Sequence, residues 1–320
     1  MEGNCMSFWD SVDEVIKRKS STKHSGMSDV YANINNVDNR TEKPTESSHK
    51  ETKEHDDTTK PEIAVVDVIL MTAVEDEYRM ARKVFRDIFA ENYENGFKYC
   101  LANYKISEDF TIVIAIFRQN NMGLVSASMT ATFALNKFNP KLLLMCGVCA
   151  GVKDKANLGD LIIFSPVFDY GSGKYHDGNF FPDYRQHHID SHVRPIVEEM
   201  KCDINLKREI KDAWENTTGK PTTELDIHIY PGGSGAAVIT DENVIKNIRD
   251  HQRTLGAIDM ESYAIAEVAN EALTREIPWL VVKGVQDFAS PLKNDQYREY
   301  SAFVSATFVE KFLNRFFGKN

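Results

Sequence analysis

The apolar run Ile63–Ala73, IAVVDVILMTA, constrains this chain more than any other stretch. It is rich in β-branched residues and shows no alternation of polar and apolar positions, which is the pattern of a strand buried on both faces. Such a strand needs a layer above it and a layer below it, so the rest of the chain must supply both neighbours and covers. It does so by alternation. A charged helical stretch over about 75–90 comes first, then two strand-like runs, FKYCLANYKI (97–106) and DFTIVIAIF (109–117), with a turn near 107–109. Gly123 to Phe138 is a helix of small residues (Ala127, Ala131, Ala134), which Pro140 closes. KLLLMCGV (141–148) and DLIIFSPVFDYG (160–171) are strand-like, and two helical stretches fill about 190–217. ELDIHIYPGG (224–233) and LGAIDM (255–260) are further strands, and Met260 to Leu273 is a helix. PWLVVKGV (278–285) is a strand, and a long helix over 294–316 follows. This order predicts an α/β fold, a three-layer sandwich with a mixed, mostly buried central sheet.

The sheet-forming pattern starts at residue 63, which sets the expected domains: 1–62 as a short helix plus a disordered linker, and 63–320 as one folded unit. Between Ser20 and Lys60 aliphatic residues are sparse, as in TEKPTESSHKETKEHDDTTKP, so too little apolar surface exists to offset the entropy of ordering. Ahead of that stretch, Phe8, Trp9, Val12, Val15 and Ile16 fall on one helical stripe, suited to docking on the chain's own domain or on a partner protein. A balance of 38 basic against 48 acidic residues leaves a net charge of −10, which disfavours nucleic acid and anionic membrane as partners. No apolar run approaches the ~20 residues of a membrane span, and a start carrying Glu2 and Asp10 does not read as a signal peptide. Five cysteines, an odd number, suggest reduced thiols and a cytoplasmic location.

In open α/β sheets, ligands lie beyond the carboxyl ends of the strands. Those ends carry acids and glycine turns here: Glu75-Asp76-Glu77 after the first strand, Cys146-Gly-Val-Cys149-Ala150-Gly151, Pro231-Gly-Gly-Ser-Gly235, Met260-Glu261, and Asp287. Together they suggest one polar pocket with close backbone approach to a ligand, although each acid could equally cap a helix. Cys146-x-x-Cys149 has no second pair to complete a zinc site, so no metal is expected. YGSGK at 170–174 lacks the phosphate-loop pattern, and no strand is followed by Gly-x-Gly-x-x-Gly; neither an NTPase nor a dinucleotide cofactor is indicated.

From Val65 to about Phe316 these motifs, in this order, resemble the nucleoside phosphorylase superfamily. Within it the chain is most similar to the methylthioadenosine/S-adenosylhomocysteine nucleosidase branch. ILMTAVEDEY, NNMG (120–123), CGVCAGV with LGDLII, SGAAVI (234–239), AIDMESYAIA and VVKGVQDFA carry the likeness. The resemblance implies a purine N-glycosidase in which Asp287 is the acid at the purine and Glu77 activates water. It implies Glu261 and Met260 at the ribose, and the glycine turn Cys149, Ala150 and Gly151 against the ligand. Val238 stands at the base, where the family carries an aromatic. It implies a homo-oligomer built on dimers and no cofactor. Met145 precedes Cys146-Gly147 where phosphate-dependent relatives carry an arginine, which favours water over phosphate as nucleophile. CGVCAGV, FDYGSGKY, KGVQDFA and YSAFVSATF, with the leading segment, also resemble nucleosidase effector domains of bacterial antiviral systems, some of which cleave ATP. A triphosphate would call for cations, and Lys174 and Arg185 are the candidates, with His187, His188 and Arg118 beside them. An apolar pocket would instead mark a housekeeping nucleosidase. A phosphorolytic enzyme and a non-catalytic nucleotide-binding module also remain open. A constitutive ATP-destroying effector would be toxic, so residues 1–62 are the expected place for a regulatory protein partner.

Overall fold

The computed structural model describes residues 65–216, 218–271, 276–290 and 295–318; the arm expected over 1–62 lies outside them. The chain runs β1 (Val68–Thr72), α1 (Glu75–Val84), β2 (Asp87–Glu94), β3 (Phe97–Lys105), β4 (Thr111–Arg118), α2 (Leu124–Phe138) and β5 (Leu142–Gly151). Then come β6 (Leu161–Asp169), β7 (Gly173–His176), β8 (Asn179–Pro182), β9 (Gln186–His187), α3 (Arg194–Cys202) and α4 (Ile204–Asp212). The last elements are β10 (Ile227–Ser234), α5 (Glu242–His251), β11 (Ala257–Asp259), α6 (Ser262–Glu271), β12 (Trp279–Asp287) and α7 (Arg298–Gly318).

The main sheet is ordered β11-β10-β6-β12-β5-β1-β4-β3-β2, with β9 on β6. It is mixed: β1 is parallel to β4 and β5, β5 is parallel to β12, and β12 is antiparallel to β6. β1, expected to be covered on both faces, is fully buried, as is the whole of β12. Helices α1 and α7 cover one face, and α2 and α6 pack together on the other, which makes the expected three layers. At the far end β11 pairs with β10 and also, antiparallel, with β5, through Ala257↔Gly151 and Ile258↔Ala150. That second pairing curls five strands into a small closed barrel. It draws the carboxyl end of β5 against the residues that follow β11.

Close approach of α7 to β12 fixes the floor of this region. A Cβ on Gly284 would lie 2.3 Å from the Ser301 carbonyl oxygen, so only glycine admits the helix there. The contact lets the Ser305 hydroxyl donate to the Val282 carbonyl (2.9 Å) and accept from the Gly147 N–H (3.0 Å).

Two parts of the chain differ from the sequence expectation. The helix expected over 75–90 stops at Val84, and β2 replaces its last turn. Phe85 is buried at the helix end, and DIFAENYE then alternates exposed and half-buried positions, the period of an edge strand. Asn95 (φ 51°) and Gly96 (φ 85°) form the two-residue left-handed turn that folds β2 back on β3. The region 172–187, without assigned structure in the sequence reading, forms the β7–β8 hairpin and β9. Helix α5 was also unanticipated; the Asp241 carboxylate caps it, accepting from the Asn243 N–H at 2.8 Å.

Candidate active site

Glu77 sits in the first turn of α1, three residues beyond the N-cap Val74, and is 2% exposed. Its Oε2 accepts from the N–H groups of Ala73 (2.6 Å) and Val74 (3.3 Å), and Oε1 accepts from Val148 N–H (2.8 Å). A carboxylate has about four lone-pair positions, so three backbone donors leave one for a water or ligand hydroxyl. The β5 turn passes so close that a Cβ on Gly147 would lie 2.3 Å from Oε1. Glycine is needed here for space. The acids beside Glu77 turn the other way: Glu75 bonds Arg118 at 2.7 Å, and Asp76 pairs with Arg79 at 3.1 Å.

Glu261 lies between the end of β11 and the start of α6, 4% exposed. Its Oε1 accepts from Gly123 N–H (2.9 Å) at the start of α2, and Oε2 is 3.8 Å from the Lys283 ammonium. Burial, reinforced by the nearby Asp259 and Glu77 carboxylates, pushes its pKa up to about 7 against the pull of Lys283. Lys283 comes from the middle of β12 and is wholly buried, 3.2 Å from Asp259 Oδ2. Burial alone would lower its pKa; the Asp259, Glu77 and Glu261 carboxylates outweigh that and hold it above the ordinary lysine value, so it stays charged. Asp259 in turn accepts from the Ser234 hydroxyl (2.7 Å) and the Ser262 N–H and hydroxyl. One buried cation thus faces a group of carboxylates, and the pair Asp259–Lys283 supports Glu261 from behind.

Asp287 ends β12 and is 6% exposed. The register slips between Val285 and Asp287, and this bulge brings Gln286 and Asp287 onto the same cavity wall. Asp287 Oδ2 accepts from Gln286 Nε2 (3.0 Å), and Oδ1 accepts from Ala289 N–H (2.8 Å), with Ala289 in the left-handed region (φ 50°). Gln286 Oε1, buried beside the cavity, has no hydrogen-bond partner among the described residues.

One cavity is lined by Glu77, Glu261 and Asp287, although they come from α1, the β11–α6 junction and β12. Met260, Val238, Cys149 and Ala150 line the same cavity, as do Ala237 and Ile239. The segment bearing Val238 is propped by Tyr170, whose ring a Cβ on Gly235 would strike at 2.1 Å. Gly151 is not on this wall; it packs against Val285, where a Cβ would lie at 2.8 Å. Burial, with Asp259, Asp287 and Glu77 adding to it against Lys283, raises the Cys149 thiol well above its ordinary value, which leaves an inert apolar lining. Cys146 and Cys149, three apart in one strand, are separated by roughly 10 Å and do not form a chelating pair.

Lys174 and Arg185 do not reach this cavity. Lys174 is exposed on β7, and Arg185 is held by Glu267 (3.1 Å) and Glu271 on the outer side of α6. His187 joins that cluster, 2.6 Å from Glu267. Arg298, from the start of α7, lines the cavity instead. The sequence reading missed Lys283, Gln286 and Arg298. A lone lysine inside an otherwise apolar strand was the available signal for the first, because a buried ammonium requires a buried counter-charge.

A family model described as the phosphorylase superfamily matches residues 67–315. The protein y4jS of Sinorhizobium fredii is 35% identical over 61% of this chain and 48% of its own length. The 5′-methylthioadenosine/S-adenosylhomocysteine nucleosidase of Bacillus cereus is 26% identical over 62% of this chain and 80% of its own. The ATP nucleosidase Cap17 of Escherichia coli is 24% identical over 77% of this chain and 50% of its own. The chain thus spans about half the length of y4jS and of Cap17. Among solved structures, the 5′-methylthioadenosine/S-adenosylhomocysteine nucleosidase of Helicobacter pylori superposes with a TM-score of 0.60 at 15% identity, covering 78% of this chain and 99% of that one. The sheet order, the cavity at its carboxyl edge and a family match over residues 67–315 agree: the chain belongs to the phosphorylase superfamily.

Proposed function

We propose that this protein hydrolyses the N-glycosidic bond of an adenine nucleoside or nucleotide, ATP among them, releasing the free base. The observation that carries the reading is the convergence of Glu77, Glu261 and Asp287 on one cavity. Breaking the bond from C1′ to the purine leaves negative charge on the base and positive charge on the sugar. Asp287, which lines the same cavity as Ala237, Val238 and Ile239, delivers a proton to the purine, a contribution of about 10²–10⁴-fold for general acid catalysis. Glu77, through its remaining lone pair, takes the proton from the attacking water. Glu261 accepts from both ribose hydroxyls, which fixes the sugar and favours its developing positive charge. Met260 supplies an apolar contact under the ring. The names of the relatives that share the family point to the same bond.

Water is the nucleophile in this reading. Met145 is fully buried in β5, so the position offers no cation for a free phosphate. Adenine release from ATP, adenosine and methylthioadenosine in phosphate-free buffer tests the proposal. Base should appear without added phosphate. A strict requirement for phosphate would replace hydrolysis by phosphorolysis, and a strong preference for methylthioadenosine would replace the nucleotide reading by a housekeeping one.

A further inference from the structure

Beside the cavity that holds the three carboxylates lies a second recess, continuous with it through Ala73, Val74 and Met122. Neither Asp287 nor the Val238 segment borders this recess, so it extends away from the base end. Its wall carries Arg118 and Gln119, where β4 runs out beside the end of β1 (Thr72↔Arg118). The Gln119 side chain is 1% exposed, yet neither its Nε2 nor its Oε1 has a hydrogen-bond partner among the described residues. Leaving a buried amide unpaired costs about 1–3 kcal/mol, so a ligand with matching donors and acceptors would gain from pairing it. The Nε groups of Arg118 and Arg298 are likewise buried and without hydrogen bonds among the described residues. Arg298 stands 3.5 Å from both Asp76 and Asp295, a loose ion pairing, and Arg118 shares the Glu75 carboxylate with Lys98 (2.7 and 3.9 Å).

From this arrangement we propose that Arg118, Gln119 and Arg298 form a subsite for the 5′-phosphates of an adenine nucleotide. The proposal rests on the glycosidase reading above and narrows its substrate to a phosphorylated one. Two guanidinium groups with unused N–H donors, plus an orphaned amide, match the several acceptor oxygens of a phosphate chain. Glu75 holds Arg118 on the recess, and the neighbouring Asp76 holds Arg298, which lines the adjoining cavity. The β7 hairpin that bears Lys174, and the Arg185 cluster on α6, take no part.

The test compares adenine release from ATP, AMP and adenosine by the full chain and by Arg118→Gln, Arg298→Gln and Gln119→Leu. Each arginine variant should lower kcat/KM for ATP by about ten- to a hundredfold, the scale of one charge-assisted hydrogen bond, and should lower that for adenosine far less. Gln119→Leu should reduce the preference for ATP over adenosine while the apo protein melts no lower than the parent, because an unpaired buried amide has been removed. Equal losses on ATP and adenosine, or an unchanged preference in all three variants, would overturn the subsite. So would a parent enzyme that prefers adenosine. Inorganic phosphate provides a further arm: it should compete with ATP and yield no sugar 1-phosphate (with its 5′-triphosphate retained) in place of the free sugar. Acceleration with formation of that product would assign the recess to a nucleophile instead. If no substrate releases base, the glycosidase reading fails on its own, and calorimetric binding of ATP against adenosine to the parent and Arg298→Gln still tests the subsite. Tighter ATP binding that Arg298→Gln abolishes supports it, and equal affinities refute it.

Discussion

Replacing Lys283 by methionine removes a buried positive charge and keeps most of its volume, so the effect on the carboxylates around it can be read with little change in packing. The ammonium lies 3.2 Å from Asp259 and 3.8 Å from Glu261. At an effective dielectric of about 20, these separations correspond to attractions of about 5 and 4 kcal/mol, before the cost of burying the charges is subtracted. Losing one partner of a buried pair typically leaves a net destabilisation of about 3–5 kcal/mol. The pH dependence carries the sharper signature. Glu261 has its pKa raised to about 7 even with Lys283 in place, so its charged form is present above that pH and lost below it. An acid whose pKa is raised by folding opposes stability as pH climbs from the unfolded value through about 7. Removing Lys283 raises that pKa further. The loss of stability in Lys283→Met should therefore be greatest near pH 8 and shrink toward pH 5.5, where Glu261 is neutral in both proteins. In the proposed reaction the ionised carboxylate is also the form that accepts two ribose hydroxyls. In the parent kcat/KM should rise with pH through about 7, and in the variant that limb should move up by at least about one unit. Urea denaturation at several pH values and a pH–rate profile measure both effects. A variant as stable as the parent at pH 8, or a limb that does not move, would refute the coupling of Lys283 to Glu261.

Gly147→Ala should push Glu77 away from the Val148 N–H, because the new Cβ would fall 2.3 Å from Oε1; kcat should drop about a hundredfold, the scale of a displaced catalytic group, as initial rates would show. Gln286→Leu removes the donor on Asp287 Oδ2 and should lower kcat about tenfold with a smaller change in KM, measured by steady-state kinetics. Val125 (75% exposed), Met129 (59%) and Met122 (50%) leave an apolar strip on and just before α2. If a homodimer forms through that strip, Met129→Glu should halve the mass seen by sedimentation, and an unchanged mass would place any interface elsewhere.

The long buried strands were readable because burial on both faces removes polar residues from whole segments, as in β1 and β12. Glu77, Glu261 and Asp287 stood out because each follows such a segment, and ligands gather at strand ends. The first half of β2 was misread as helix because its charged edge-strand pattern is weak, although the Asn95-Gly96 pair advertised a tight hairpin. Cations were the hardest to place. Lys174 and Arg185 were candidates only because a triphosphate would call for cations, but the chain puts Lys174 on an exposed hairpin and pairs Arg185 with α6. Arg298 reaches the cavity from a helix more than two hundred residues beyond the acidic turn it faces, a meeting that no local pattern encodes.

The central claim is that the three carboxylates on one cavity expel a purine base with water. Its most direct test is chromatographic measurement of adenine released from ATP and adenosine in phosphate-free buffer, by the parent protein and by Asp287→Asn. The account predicts release by the parent and a loss of at least about a hundredfold in the folded variant, the lower end of general acid catalysis. Base release that survives unchanged in Asp287→Asn would contradict it.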